Sequence, residues 1–368
     1  MTGKIVKENL KHRPMRSLLS ILLMGVPVTL ILCLVGLSNG LIDENNLRTR
    51  GIGADVIVRP TGSTLLSLSG GMSEKFADVL AKQPHVALAM GVVNQPVEGV
   101  TLGATGINLE LFNRMSGGFH FLAGGPFQGP DDVIVDEYYA QQKHLKIGSH
   151  VNLLNHDWRV CGIIESGKLT RIALPLKILQ ERSGNIGKVS QIYLKLDDPK
   201  NTDMVVDYLK NLSPFKEDQY PIYSVEEWTS LFNASNIPGL RPFTFVVIGI
   251  GVVIGFAVVC LSMYMAVLQR TREIGILKSL GGSNGFILGI VLAEALILGV
   301  GGTALGIGMS YGAYWLIRTL VPASFPMVIV YVWWPIAGGI TLIGAALGAL
   351  YPGLSAARHD PIEALAYE

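Results

Sequence analysis

Four long apolar runs constrain this chain more than any other feature. Residues 17–41, 243–268, 286–317 and 333–354 each reach the roughly 20 residues that an α-helix needs to cross about 30 Å of hydrocarbon. The first and the last of these contain no charged residue. A composition of 49% hydrophobic and 15% charged residues, with a mean hydropathy of +0.42, agrees with an integral membrane protein. The spans are assigned to 17–41, 241–268, 286–317 and 333–354.

Lys4, Lys7, Lys11, Arg13 and Arg16 precede the first run, as in a secretory signal. The run is longer than the about 7–15 residues of a signal's apolar region, however, and no convincing A-x-A site follows it. It is read as a retained anchor. Orientation follows from lysine and arginine, which gather before the first span, at Arg270, Arg272 and Lys278 after the second, and at Arg358 after the fourth. These segments are expected in the cytosol of a bacterial inner (plasma) membrane, with both termini inside. Residues 318–332 form an outer loop whose ends carry Tyr311, Tyr314, Trp315, Tyr331, Trp333 and Trp334, an interfacial aromatic belt.

Residues 42–240 then form an external domain long enough to bury its own core. Alternating and β-branched segments at 54–59, 132–135, 150–154, 158–164 and 191–196 predict strands, and 73–82, 137–144, 202–211 and 225–233 predict helices. Ser73 is the expected N-cap of the first of these helices. The expected fold is therefore a membrane protein with four transmembrane α-helices in a 1+3 arrangement and a large α+β extracytoplasmic domain inserted between helices 1 and 2.

Cys33 and Cys260 fall within spans, so Cys161 has no disulfide partner in the external domain and reads as a buried structural thiol. His85, His120, His144, His150 and His156 show no metal-ligand spacing. No phosphate-binding loop, nucleophile elbow or H-E-x-x-H motif is present, so no catalytic residue and no metal ligand is assigned and the chain does not read as an enzyme. Gly251 and Gly255, Gly302 and Gly306, Gly308 and Gly312, and Gly344 and Gly348 each place two small residues on one helix face, a pattern for close helix packing. Glu294 is an acidic residue deep in the third span; it must be protonated, hydrogen-bonded or turned to a polar cavity, in a structural or a functional role. Over residues 1–16, Lys4, Lys7 and Lys11 share one helical face opposite Ile5, Val6 and Leu10, as in a cytosolic helix lying in the membrane interface before Pro14.

Between the second and third spans, residues 269–285 form a short charged helix. Ile274, Ile276, Leu277 and Leu280 make an apolar arc interrupted by Glu273, Arg270, Arg272 and Lys278 supply polar contacts, and Gly281 and Gly282 end it. Such a helix suits docking onto a soluble partner, although a solvated loop would share its composition.

The stretch R-T-R-E-I-G-I-L-K-S-L-G-G-S at 270–283 resembles the coupling-helix signature of FtsX-like permeases, the MacB-type ABC transporter family. Residues 9–20 (NLKHRPMRSLLS) are similar to that family's entry into its first span, 351–368 (YPGLSAARHDPIEALAYE) to its tail, and 135–151 (VDEYYAQQKHLKIGSHV) to its external domain. The resemblance implies a machine in which two permease subunits, a homodimer or a pair of related chains, are driven through their coupling helices by ABC ATPase subunits that hold ATP and Mg. Arg270, Arg272, Glu273, Ile274, Gly275, Leu277, Lys278, Leu280 and Gly281 would be the ATPase-coupling residues, and the cytosolic tail 355–368, around Arg358, Asp360, Pro361 and Leu365, would lie beside them. Some members carry the ATPase on the same polypeptide; with about 16 residues before the first span, a separate ATPase chain is expected. A periplasmic adaptor and membrane lipid are further candidate partners, and nucleic acid is not expected. Two outputs are open. The external domain helps to expel or extract a hydrophobic or amphipathic substrate such as an antibiotic, peptide, lipoprotein or haem. Alternatively, it transports nothing and activates an external partner such as a cell-wall hydrolase; the family's cell-division member has a much shorter external loop, which favours the first output.

Overall fold

The computed structural model describes residues 14–63, 71–98, 102–212, 220–233, 236 and 239–358. The interfacial face of Lys4, Lys7 and Lys11 and the tail residues Asp360, Pro361 and Leu365 lie outside the described residues. In chain order the elements are α1 (Pro14–Arg50), β1 (Val56–Val58), β2 (Met72–Ser73), α2 (Lys75–Leu80), β3 (Val86–Glu98), β4 (Leu102–Ile107), α3 (Leu109–Ser116), β5 (Phe121–Gly124), β6 (Asp132–Asp136), α4 (Glu137–Lys143), β7 (His150–Leu153), β8 (His156–Ile164), β9 (Ile172–Pro175), α5 (Leu176–Arg182), β10 (Lys188–Val189) and β11 (Gln191–Leu196). There follow α6 (Thr202–Lys210), β12 (Ile222–Ser224), α7 (Val225–Leu231), α8 (Leu240–Leu268), α9 (Thr271–Ser279), α10 (Asn284–Leu320) and α11 (Trp333–Arg358).

Four of these, α1, α8, α10 and α11, are long and apolar enough to cross a membrane. The chain forms two compact units, one from the described parts of 1–39, 239–316 and 327–368, the other from 40–238 and 317–326. Helices α1, α10 and α11 run longer than the apolar pattern alone suggests, α11 ending at Arg358. Helix α1 continues past residue 41 to Arg50, its polar last turns held by a Glu44–Arg48 ion pair at i,i+4 spacing. Helix α10 continues to Leu320.

In the helical unit, glycine sets the packing. A Cβ on Gly302 would lie 2.6 Å from Met24 Cβ, and one on Gly306 2.6 Å from Val28 Cβ, so α1 rests directly on the backbone of α10. Gly348 of α11 receives α8, where an added Cβ would come within 2.8 Å of the Phe256 carbonyl oxygen. Gly255, Gly308, Gly312 and Gly344 have nothing within 4 Å of an added Cβ, so the paired-glycine pattern marks close packing at only some of its positions. Polar contacts add to it: Ser20 and Ser262 hydroxyls meet at 2.7 Å, and Thr29 Oγ1 donates to the Gly306 carbonyl at 3.1 Å. Phe245, Val253 and Leu261 of α8 are exposed, as for a helix whose solvent is lipid.

The other unit is α+β. Its ten-stranded sheet runs β12-β1-β11-β3-β4-β9-β6-β8-β5, with β7 paired to β8. The long β3 joins its halves: Val86 to Val92 pair with β11, and Val93 to Glu98 pair with β4. Parallel pairs occur at β4–β9 and β6–β8, the rest being antiparallel. Ser73 does not cap α2. It is a strand residue paired with Lys188, and the capping position falls to Glu74, which makes no side-chain cap bond. Strands β3 and β4 have no strand signal because Gly91, Pro96, Gly103 and Gly106 punctuate them. At two of these the backbone is approached closely: a Cβ on Gly91 would meet Val189 Cγ1 at 2.7 Å, and one on Gly106 would meet Leu179 Cδ2 at 3.0 Å.

Candidate functional site

Helix α9 is short, and its ends are fixed by backbone chemistry. Gly281 takes a left-handed conformation (φ 95°), its N–H donates to the Lys278 carbonyl at 3.0 Å, and the Gly282 N–H donates to the Leu277 carbonyl at 2.9 Å. These two bonds are a Schellman stop, which glycine adopts at least cost. The next helix starts at once, the Ser283 hydroxyl accepting from the Phe286 N–H at 3.2 Å.

The residues expected to dock a partner do not share one surface. Ile274 and Leu277 turn inward and pack on Met263 and Val267 of α8 and Ile287 and Val291 of α10, while Gly275 is buried. Lys278 also turns inward, its ammonium donating to the Ala357 carbonyl at 2.8 Å. That contact places a cation at the C-terminal end of α11, where the helix dipole favours it. Arg270, just ahead of α9, reaches into the bundle: its Nη1 lies 3.2 Å from Oε2 of Glu294, a pair with side-chain exposures of 12% and 4%. The intramembrane carboxylate thus faces a guanidinium from a residue 24 positions earlier. A cavity of about 60 Å³ lies beside the pair, lined by Met263, Val267, Ile274, Leu277, Ile290 and Glu273 among others. Its walls are mostly apolar and its polar groups come from Arg270, Glu273 and Glu294.

The outward side of α9 is made by Arg272, Glu273, Ile276 and Ser279, followed by Leu280 and Gly281. Leu280 is 80% exposed and Ile276 45%. Two apolar side chains therefore stand in the open between a cation and an anion, on a helix whose other side is pinned to three of the long helices. Arg358 closes α11, the last described residue of the chain.

In the external unit, Cys161 is buried and its Sγ–H donates to the Val133 carbonyl at 3.5 Å. Burial, and secondarily the neighbouring Asp132 carboxylate, pushes its thiol up to about 12. It is a structural thiol. Burial alone would raise the Asp132 carboxyl, but the N–H groups of Gln128 and Gly129, at 2.6 and 2.8 Å, together with Arg159, outweigh it and hold that carboxyl below the usual carboxylate range.

Comparison with known proteins agrees with this architecture. The family profile for the MacB-like periplasmic core domain matches residues 17–212, and that for the FtsX-like permease C-terminal region matches 245–361. The uncharacterized ABC transporter permease YknZ of Bacillus subtilis (strain 168) is 33% identical over 230 residues, covering 60% of this chain and 55% of that protein. The uncharacterized ABC transporter permease MJ1507 of Methanocaldococcus jannaschii is 24% identical over 234 residues, covering 61% of this chain and 58% of that protein. The macrolide export ATP-binding/permease protein MacB of Photorhabdus laumondii is 26% identical over 325 residues, covering 79% of this chain and 48% of that protein. The chain spans about half the length of the curated relatives it matches.

Proposed function

Because this chain belongs to the FtsX-like, MacB-type family of ABC transporter permeases, we propose that α9 is the cytosolic surface on which an ABC ATPase docks, and that ATP and Mg held by that ATPase drive rearrangement of the external domain. The observation that carries this reading is the exposure of Leu280 and Ile276 beside Arg272 and Glu273. An apolar centre with a charged rim is the composition of a protein interface core, and a short amphipathic helix is a common form for one. In this reading the coupling residues divide by task. Arg272, Glu273, Ile276, Leu280 and Gly281 touch the ATPase, while Arg270, Ile274, Gly275, Leu277 and Lys278 carry its movement into the spans. The lysine and arginine distribution supports an orientation with α9 and both termini in the cytosol of a bacterial inner membrane. The permease works as a dimer, and its output is export or extraction of a hydrophobic or amphipathic substrate.

The test is purification of the tagged protein from native membranes in mild detergent, with mass spectrometry of what accompanies it. An ABC ATPase at one copy per permease is the expected result. Ile276→Asp and Leu280→Asp each abolish its recovery, because a charge desolvated at the centre of an interface removes most of the binding energy. Recovery unchanged in both variants refutes the docking surface. A cell-wall hydrolase recovered in place of an adaptor or cargo replaces transport with signalling as the output.

A further inference from the structure

Two segments continuous with the membrane helices are built into the external unit: the last turns of α1, from residue 40, and residues 317–326, which lead out of α10. Both are tied to the same short helix, α1 through Arg171 and residues 323–324 directly. At the start of α4, Asp136 is the cap, its Oδ1 accepting from the Tyr139 N–H at 2.8 Å. Its other oxygen accepts from Arg171 Nη1 at 2.7 Å, and Arg171 Nη2 is paired with Glu44 of α1. Glu44 in turn holds Arg48. Arg171 and Asp136 are 3% and 1% exposed, so the guanidinium is a buried two-handed link between α1 and the cap of α4. Near the other end of α4, Gln142 Oε1 accepts from the N–H groups of Ala323 and Ser324 at 3.0 and 3.2 Å, and its Nε2 donates to Ser324 Oγ at 2.8 Å. Ala323 is itself part of the domain core.

We propose that α4 is the joint at which movement of the first span and of the segment leaving the third enters the external sheet, with Arg171, Asp136 and Gln142 as its positioning residues. This rests on the ATP-driven reading above. The geometry suits the task. Helix α4 is about 10 Å long at helical rise, so a relative shift of the two gripped segments acts as a couple on its ends. Asp136 is also the last residue of β6, which lies between β9 and β8 inside the sheet. Rotation of α4 is therefore delivered to an interior strand. A buried charge link and a three-bond clasp break or hold as units, as a two-state joint requires.

The test uses the full permease with its ATPase in nanodiscs, comparing amide hydrogen exchange in nucleotide-free and vanadate-trapped states. In the wild type, exchange over residues 132–143 changes on trapping. Gln142→Met, which removes the clasp, and Arg171→Lys, which removes the fork, both lose that change while ATPase association and ATP hydrolysis persist. Gln142→Glu, which still accepts from the two amides, retains it; a merely structural role would not discriminate Met from Glu in this readout. Unaltered exchange over β3 and β11 in the nucleotide-free state reports an intact fold. A trapping response in the Met and Lys variants equal to the wild type overturns the joint and leaves the ATP-driven reading standing. A wild-type response elsewhere in the external unit but absent from 132–143 does the same, and failure of the wild type to bind an ATPase overturns both.

Discussion

Removing the Glu294 carboxylate tests how α9 is held to the bundle. With Nη1 and Oε2 at 3.2 Å, the pair's attraction is about 5 kcal/mol at an effective dielectric constant of 20. Burial of both ions offsets much of that, so the pair contributes far less in net terms than its loss costs. Deleting one partner of a buried pair costs about 3–5 kcal/mol; Glu294→Ala belongs near 3, because Arg270 retains 12% exposure and sits beside a cavity that admits water. Glu294→Gln keeps an acceptor for the guanidinium and loses only the opposite charge, so it costs less, about 1.5 kcal/mol, the margin between an ionic and a neutral hydrogen-bond partner. Arg270→Met is milder than Glu294→Ala, since the guanidinium left behind by the latter is the bulkier group and carries more donors to satisfy. Arg270→Met combined with Glu294→Ala recovers most of the loss, for a coupling energy of about 2–3 kcal/mol. The assay is SDS-titration unfolding in mixed micelles, followed by the fluorescence of Trp315, Trp333 and Trp334. A double variant whose loss equals the sum of the two single losses refutes the pair as the latch.

Gly306→Leu forces a side chain into the contact with Val28 and the Gly25 carbonyl, where a Cβ has 2.6 and 2.7 Å, and costs about 1–3 kcal/mol or more; Gly308→Ala, with open space, stays within about 0.5 kcal/mol in the same SDS titration. Leu277→Asp lowers the stability of the bundle itself, whereas Leu280→Asp leaves the SDS midpoint unchanged, because only the first side chain packs inward. Asp132 carries a folded-state carboxyl below its unfolded value, so its stabilisation is complete above the unfolded value of about 4 and is lost as pH falls through the lower folded one; Asp132→Asn flattens the acid limb of the urea midpoint against pH, and an unchanged limb refutes it. With its thiol at about 12, Cys161 is thiolate in about one molecule in ten thousand at pH 8, so native protein resists iodoacetamide at this position and urea-unfolded protein does not.

How far the molecule can be read from its residues depends on whether the cause is local. The long helices were legible because hydrocarbon thickness demands a length that no soluble element shares, and β6, β8 and β11 because β-branched runs stand between clear turn residues. The polar extension of α1 to Arg50 was not, since apolarity stops near residue 41 while the helix is carried on by contacts with the external unit, Arg171 gripping Glu44. Strand β4 carries no strand signal, in part because Gly106 answers to Leu179 and Leu176 of α5, far along the chain, while Gly103 lies against the Gln95 carbonyl of β3. Helix α9 divides in the same way. At about 100° per residue, Ile276 and Leu280 lie roughly 200–240° around the axis from Ile274, whereas Leu277, Lys278 and Arg270 lie within about 60° of it. Two faces were therefore present in the spacing of 270–280. Which of them would be covered was not, because that is decided by Val267, Ile287, Glu294 and Ala357, residues brought there by the packing of three long helices. Under the proposed docking, a partner on the other face would have to match what α9 leaves outside, an isoleucine and a leucine set between an arginine and a glutamate. A docking groove complementary to Ile274 or Leu277 would have to compete with the bundle, against which both side chains are half-buried.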